Sequence, residues 1–72
     1  MDAAADMIVT VLKRPDTALQ PDQRFADIAG WDSLKMVRFV LLLEERLGRE
    51  LGEDELVGLE RILDAQRLLD GE

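Results

Sequence analysis

Residues 33–47, with the sequence SLKMVRFVLLLEERL, constrain the fold more than any other part of this chain. Apolar side chains recur in this run every three or four residues, which is the spacing of an α-helix. Gly48 follows directly and is a typical residue for the C-terminal cap of a helix. The run therefore predicts an α-helix from Ser33 to Leu47.

The apolar residues of this helix fall on two separate faces when they are placed at about 100° per residue. The broader face has the width of a normal core stripe and comprises Met36, Phe39, Val40, Leu43 and Leu47. The other face, here called the second stripe, comprises Leu34, Val37 and Leu41. Its borders carry the charged residues Arg38, Glu44 and Glu45. The pattern leaves open whether the second stripe packs against the preceding loop or contacts a partner protein.

The rest of the chain predicts three further helices and no strand. Residues 3–12 have helical spacing, with Asp2 and Asp6 placed to suit the helix dipole. Residues 53–58 predict a short helix and residues 61–70 a last one. Residues 14–32 form a long loop containing Pro15 and Pro21. We expect Phe25 and Ile28 to anchor this loop in the core, and Gly30 to provide a turn before the next helix.

These elements predict an all-α fold, a small four-helix bundle with three main helices and a short third helix. The long loop lies between the first and second helices. At 72 residues, we expect a single domain over residues 1–72. Only two Phe and one Trp contribute aromatic rings, so we expect an aliphatic core.

Composition excludes several classes of function. The chain has no cysteine and no histidine, which excludes disulfides, Cys or His metal sites and a serine–histidine nucleophile pair. A net charge of −7 disfavours nucleic acid and anionic membranes as partners. The longest apolar run, FVLLL, is too short to span a bilayer, and no signal peptide is visible. We expect a cytoplasmic monomer that is not an enzyme.

Ser33 allows three interpretations. It could cap the helix, as could Asp32, because both residue types are preferred at that position. It could act as a nucleophile, but the chain offers no histidine to activate it. It could also be presented to another enzyme for modification, because the positive end of a helix dipole suits an added phosphate group. The residues alone leave the first and third interpretations open.

The motif GWDSL at residues 30–34 resembles the D-S-L signature of acyl and peptidyl carrier proteins. Phe25 and Gly30 fit that family's F-x-x-x-x-G-x-D-S-L pattern, and the segments VRFVLLLEERLG, LGEDEL and RILDAQRLL resemble its later helices. The resemblance covers essentially the whole chain. It implies that Ser33 bears a 4′-phosphopantetheine arm derived from coenzyme A, beside the motif acid Asp32. It also implies that the second stripe belongs to the helix that partner enzymes recognise.

By this resemblance the protein holds acyl or aminoacyl intermediates as thioesters and presents them to biosynthetic enzymes. The implied partners are a phosphopantetheinyl transferase, an acyl- or aminoacyl-loading enzyme, and downstream synthases, transferases or tailoring enzymes. Implied partner contacts are Leu34, Val37, Arg38, Leu41, Glu44 and Glu45. The alternative is an acidic helical protein-interaction module in which Ser33 is only a helix N-cap.

One feature departs from carriers of fatty-acid synthesis, which usually place acidic residues along this helix. Residues 33–42 contain Lys35 and Arg38 and no acidic residue, a net charge of plus two. In this charge, and in the Trp31 of GWDSL, the chain resembles discrete carriers of specialised-metabolite pathways, and the resemblance implies a role in making a polyketide, a nonribosomal peptide or another specialised metabolite.

Overall fold

The computed structural model of the protein describes residues 3–14 and 18–71, and these residues form four α-helices without a β-strand. Helix α1 spans Ala3–Leu12, α2 spans Ser33–Leu47, α3 spans Glu53–Val57 and α4 spans Ile62–Leu69. The predicted all-α bundle is confirmed. The predicted bounds of α1 and α2 agree with the structure, and α3 and α4 end within one residue of their predicted limits. Asp2 and Pro15 lie outside the described residues.

The core lies where α1, α2 and α4 meet, and the long loop contributes to it. Helix α2 faces it with Phe39 and Leu43, which are fully buried, and with the half-buried Met36, Val40 and Leu47. These five residues are the broader face predicted from the sequence. The core is largely aliphatic, as expected, and Phe25 and Phe39 are its buried aromatic residues, with their ring centroids 5.2 Å apart.

The loop between α1 and α2 is held in two ways. Phe25 and Ile28 are buried, as predicted. The sequence did not indicate the second way, which is backbone pairing with the turn before α4. Phe25 N–H donates to the Glu60 carbonyl at 3.0 Å, and Ile62 N–H donates to the Gln23 carbonyl at 3.1 Å. A short 3₁₀ turn at Phe25–Asp27 follows this pairing and leads the chain towards α2.

Glycines end the loop and the second helix. Gly30 has φ +83° and Gly48 has φ +74°, which are left-handed conformations that favour glycine. Gly48 N–H donates to the Glu44 carbonyl at 2.8 Å, so the predicted C-cap of α2 is confirmed. None of the four described helices has the length and apolar character that crossing a bilayer requires.

Candidate functional site

Ser33 is the first residue of α2, and Asp32 caps the helix in front of it. Asp32 has an extended backbone, and its Oδ1 accepts a hydrogen bond from Lys35 N–H at 2.9 Å. Asp32 thus satisfies one of the free N–H groups in the first turn. The hypothesis that Ser33 is merely the N-cap was therefore wrong. The capping role is already filled, and Ser33 is left exposed at the start of the helix.

The charges around Ser33 are balanced locally. The Lys35 N–H hydrogen bond, with the nearby Lys35 ammonium, holds the pKa of the Asp32 carboxyl below its usual value. Lys35 Nζ lies 3.4 Å from Asp32 Oδ2. A lysine in the first turn is unfavourable with the helix dipole, and this ion pair places a carboxylate beside it. Asp32 therefore remains ionised at neutral pH, next to the Ser33 hydroxyl.

The second stripe is exposed to solvent. Leu34, Val37 and Leu41 are 58%, 56% and 60% exposed, so the part of the α1–α2 loop that the structure describes does not cover them. This outcome removes the interpretation in which the stripe packs against that loop. Leucine and valine side chains on one helix face, all more than half exposed, form an apolar surface suited to contact with another molecule.

An open groove runs from Ser33 along the second stripe to α3. Its volume is ≈ 490 Å³. We call it the α2–α3 groove, and its lining residues are Ser33, Met36, Val37, Val40, Leu41 and Leu56. Sequence reasoning did not select Leu56, although this leucine is exposed on a short helix in which Val57 is also exposed. Two exposed apolar neighbours in so short a helix were the available signal.

The borders of the second stripe differ in their structural roles. Arg38 and Glu45 are exposed, and with Lys13 they flank a shallow depression next to Leu41. Glu44 is half-buried, and its Oε2 accepts a hydrogen bond from Leu51 N–H at 2.7 Å. Glu44 therefore holds the connection between α2 and α3 in place. All but one of the predicted site residues are exposed on α2 or at its start: Asp32, Ser33, Leu34, Val37, Arg38, Leu41 and Glu45. The exception is Glu44, which is half-buried by its contact with the α2–α3 connection.

A second hollow reaches Ser33 from the side of the long loop. We call it the loop trough; its volume is ≈ 710 Å³, and that of the α2–α3 groove is ≈ 490 Å³. Its lining residues are Arg24, Phe25, Ala26, Trp31, Asp32, Ser33, Met36, Leu59 and Glu60. Three separate segments build this trough, and the sequence analysis had selected only Asp32 and Ser33 from it as site residues. Ser33 and Met36 line both hollows, so the serine stands where the two meet.

Trp31 forms part of the trough wall. Its ring centroid lies 5.5 Å from that of Phe25 and 5.9 Å from that of Phe39, so the three aromatic side chains form one cluster beside Ser33. The indole N–H of Trp31 is buried and has no hydrogen-bond partner within the described part of the chain. Such a donor normally finds a partner when it is buried.

Comparison with known proteins shows the family to which the chain belongs. A family model described as the phosphopantetheine attachment site matches residues 2–65. The chain belongs to the phosphopantetheine-binding carrier protein family. Proteins of this family carry a covalently attached 4′-phosphopantetheine group and have no catalytic activity of their own, so this protein is a carrier and not an enzyme. An exposed serine hydroxyl that is free of the capping role, with two open hollows beside it, fits a group of this kind.

Acyl carrier proteins are among the relatives of this chain. The protein from Acidothermus cellulolyticus is 36% identical over 61 residues, which cover 85% of this chain and 73% of the relative. That from Micrococcus luteus is 33% identical over 57 residues, covering 78% and 70%. That from Solidesulfovibrio magneticus is 28% identical over 60 residues, covering 83% and 77%. As a family member, the chain interacts with a phosphopantetheinyl transferase and with acyl-handling enzymes.

Proposed function

We propose that Ser33 is the attachment site and that the protein carries acyl or aminoacyl intermediates as thioesters on the arm. The observation that carries this proposal is the state of Ser33. It is the only serine in the chain, it is exposed at the first position of α2, and Asp32 has taken over the capping role. The family requires a hydroxyl for its phosphodiester, and this one is both accessible and free of the cap.

The start of α2 suits the product of attachment. The Ser33 hydroxyl gives up its proton and forms the ester bond to phosphorus, while the nucleotide part of coenzyme A leaves. The resulting phosphodiester is anionic, and the positive end of the α2 dipole stabilises an anion at this position. Lys35 adds a positive charge within the same turn. When bound, the arm supplies a terminal thiol that forms the thioester, which explains how a chain without cysteine can carry an acyl group.

We propose that partner enzymes dock on the second stripe. Leu34, Val37 and Leu41 supply an apolar centre beginning one residue after Ser33, and charged residues surround it. A hydrophobic centre with a polar rim is the usual anatomy of a protein interface. In the proposed interface Arg38 and Glu45 contact the partner directly. Glu44 contacts the partner at the edge of this interface and continues to accept the hydrogen bond from Leu51 N–H.

The charge of α2 supports a specialised pathway. Lys35 and Arg38 make the first part of α2 basic, which suits partners whose docking surface is acidic. We therefore propose a discrete carrier in the biosynthesis of a polyketide or a nonribosomal peptide. In that role it is loaded by an acyl- or aminoacyl-loading enzyme and serves downstream synthases, transferases or tailoring enzymes. We further propose that residues 1–72 act as a single carrier domain, a cytoplasmic monomer that binds neither nucleic acid nor membranes.

Intact mass spectrometry tests the attachment site. Wild-type protein is incubated with coenzyme A and a broad-specificity phosphopantetheinyl transferase, and we expect it to gain the mass of one arm. Ser33→Ala should gain nothing, while its circular dichroism stays close to that of wild type because Asp32 still caps α2. An equal gain on Ser33→Ala would contradict the proposal, as would no gain on a folded wild type.

A pair of charged substitutions tests the docking surface. Leu41→Asp places a charge in the apolar centre and should lower the kcat/KM of arm transfer by about tenfold or more, the scale of a buried interface contact. Val57→Asp is the matched control, because Val57 is also an exposed apolar residue but does not line the α2–α3 groove. We expect it to be loaded like wild type. Equal losses in both variants, with intact helical content, would show that the second stripe is not the docking surface.

A further inference from the structure

We propose that the arm carried by Ser33 rests in the loop trough, against Trp31, and leaves the α2–α3 groove free for the partner enzyme. This inference rests on the function proposed above, because it needs Ser33 as the attachment site. It assigns the trough a ligand of defined chemistry: a linear chain with a phosphodiester, a hydroxyl, two amides and several methylene groups.

The two hollows that meet at Ser33 differ in chemical character. Apart from Ser33, every residue lining the α2–α3 groove is apolar. The loop trough combines apolar side chains such as Phe25, Ala26 and Leu59 with the charged residues Arg24 and Glu60. An arm that alternates amides with methylenes needs polar partners as well as apolar contact, because buried amides without hydrogen bonds are costly. The mixed lining of the trough meets that need, and the apolar lining of the groove does not.

The trough also has a suitable size and an aromatic wall. Its volume of ≈ 710 Å³ lies within the range of about 300–1,000 Å³ found for small-molecule sites. Trp31 lines the trough, so its ring offers apolar contact to the methylene groups of the arm.

Docking geometry favours the same choice. Val37 and Leu41 belong both to the second stripe and to the wall of the α2–α3 groove. An arm resting in that groove would have to be displaced whenever a partner bound there. The loop trough shares only Ser33 and Met36 with the groove, so a partner on the second stripe leaves most of the trough uncovered. Met36 forms the shared wall, and its flexible side chain can adapt to either occupant.

Trp31 is the only tryptophan and therefore reports directly on the trough. Apo and arm-bearing proteins, each verified by intact mass, are compared by acrylamide quenching of tryptophan fluorescence and by amide NMR spectra. We expect loading to lower the quenching constant of Trp31 and to shift its indole N–H resonance. We also expect backbone shifts at Ala26 and Glu60, which are distant from Ser33 in sequence. Val40 and Leu56, in the α2–α3 groove, should not shift.

A substitution that fills the trough provides the matched test. Ala26→Leu adds bulk to an exposed position on the trough wall, whereas Ala29→Leu adds the same bulk at an exposed loop position outside it. Both variants should accept the arm. Loading should still shift Glu60 in Ala29→Leu, and this shift should be lost in Ala26→Leu. Resonance shifts at Val40 and Leu56 on loading would refute the proposal that the arm rests in the trough. Unchanged quenching and an unchanged indole resonance of Trp31 in fully loaded protein would refute it as well. Neither result would contradict the carrier function. A wild type that fails to load would overturn both proposals.

Discussion

Two leucines on the same helix provide the sharpest test of the two-faced character of α2. Leu43 is fully buried, whereas Leu41, two residues earlier, is 60% exposed. Replacing a buried leucine by alanine costs about 2–5 kcal/mol, since it combines lost burial with a cavity. Full burial of a leucine side chain stabilises a protein by roughly 2 kcal/mol. Because less than half of the Leu41 surface is buried, Leu41→Ala should lower the free energy of unfolding by only about 0.5–1 kcal/mol. Both changes are Leu→Ala within one helix, so their effects on helix propensity are the same.

Urea unfolding followed by circular dichroism measures the difference. With an m-value near 1 kcal/mol/M for a domain of this size, Leu43→Ala should lower the urea midpoint by about 2 M or more. Leu41→Ala should lower it by about 1 M at most on the same scale. Equal decreases for the two variants would refute the assignment of Leu41 to an exposed face. They would also remove the structural basis for proposing the second stripe as a docking surface.

Three further predictions concern the caps and the charges. Asp32→Ala should lower the free energy of unfolding in urea by about 0.5–2 kcal/mol, because it removes the cap of α2. Asp32→Asn should be nearly neutral, because asparagine also caps well. Equal losses in the two variants would contradict the capping role of Asp32. Gly48→Ala should lower the free energy of unfolding by about 1–2 kcal/mol, because φ at this position is +74°. An added Cβ would meet no atom within 4 Å, so the loss comes from the backbone conformation alone. An unchanged urea midpoint would contradict this prediction. The side-chain hydrogen bond from Arg49, supported by Gly52 N–H, lowers the pKa of Glu55 to about 2. Because this folded-state pKa is depressed, the stabilisation is complete above the ordinary value of 4.5 and is lost as pH falls towards about 2. Glu55→Gln should therefore show a smaller loss of stability over that pH range than wild type, and equal losses would refute the assignment.

Local features of the sequence predicted the helices closely. The bounds of α2 follow from helical spacing between two clear signals, the capping pair Asp32–Ser33 at one end and Gly48 at the other. The two faces of α2 were predictable for the same reason, because the direction of each side chain follows from the helix period. The sequence could not show which of Asp32 and Ser33 is the cap. Both residue types cap well, and only the hydrogen bond to Lys35 N–H distinguishes them.

The features that depend on distant segments were not predictable. Backbone pairing between Phe25 and Glu60 leaves no side-chain pattern in either segment, so nothing in the sequence marks it. The loop trough exists because this pairing brings Leu59 and Glu60 beside Trp31. Glu44 was selected as a border of the second stripe, but its bond to Leu51 N–H depends on how the chain turns after α2. Nonlocal contacts of this kind explain why Ser33 could be proposed as the attachment residue from the sequence, whereas its surroundings could not be predicted.

The central claim, that Ser33 carries the arm, is tested most directly by locating the added mass within the chain. Trypsin cleaves after Arg24 and Lys35 and releases residues 25–35, FADIAGWDSLK, in which Ser33 is the only hydroxyl-bearing residue. After incubation with coenzyme A and a phosphopantetheinyl transferase, peptide mass spectrometry should find the arm on this peptide, with fragment ions placing it on Ser33. An arm found on a peptide that contains Thr10 or Thr17 would contradict the claim, as would an unmodified 25–35 peptide from fully loaded protein.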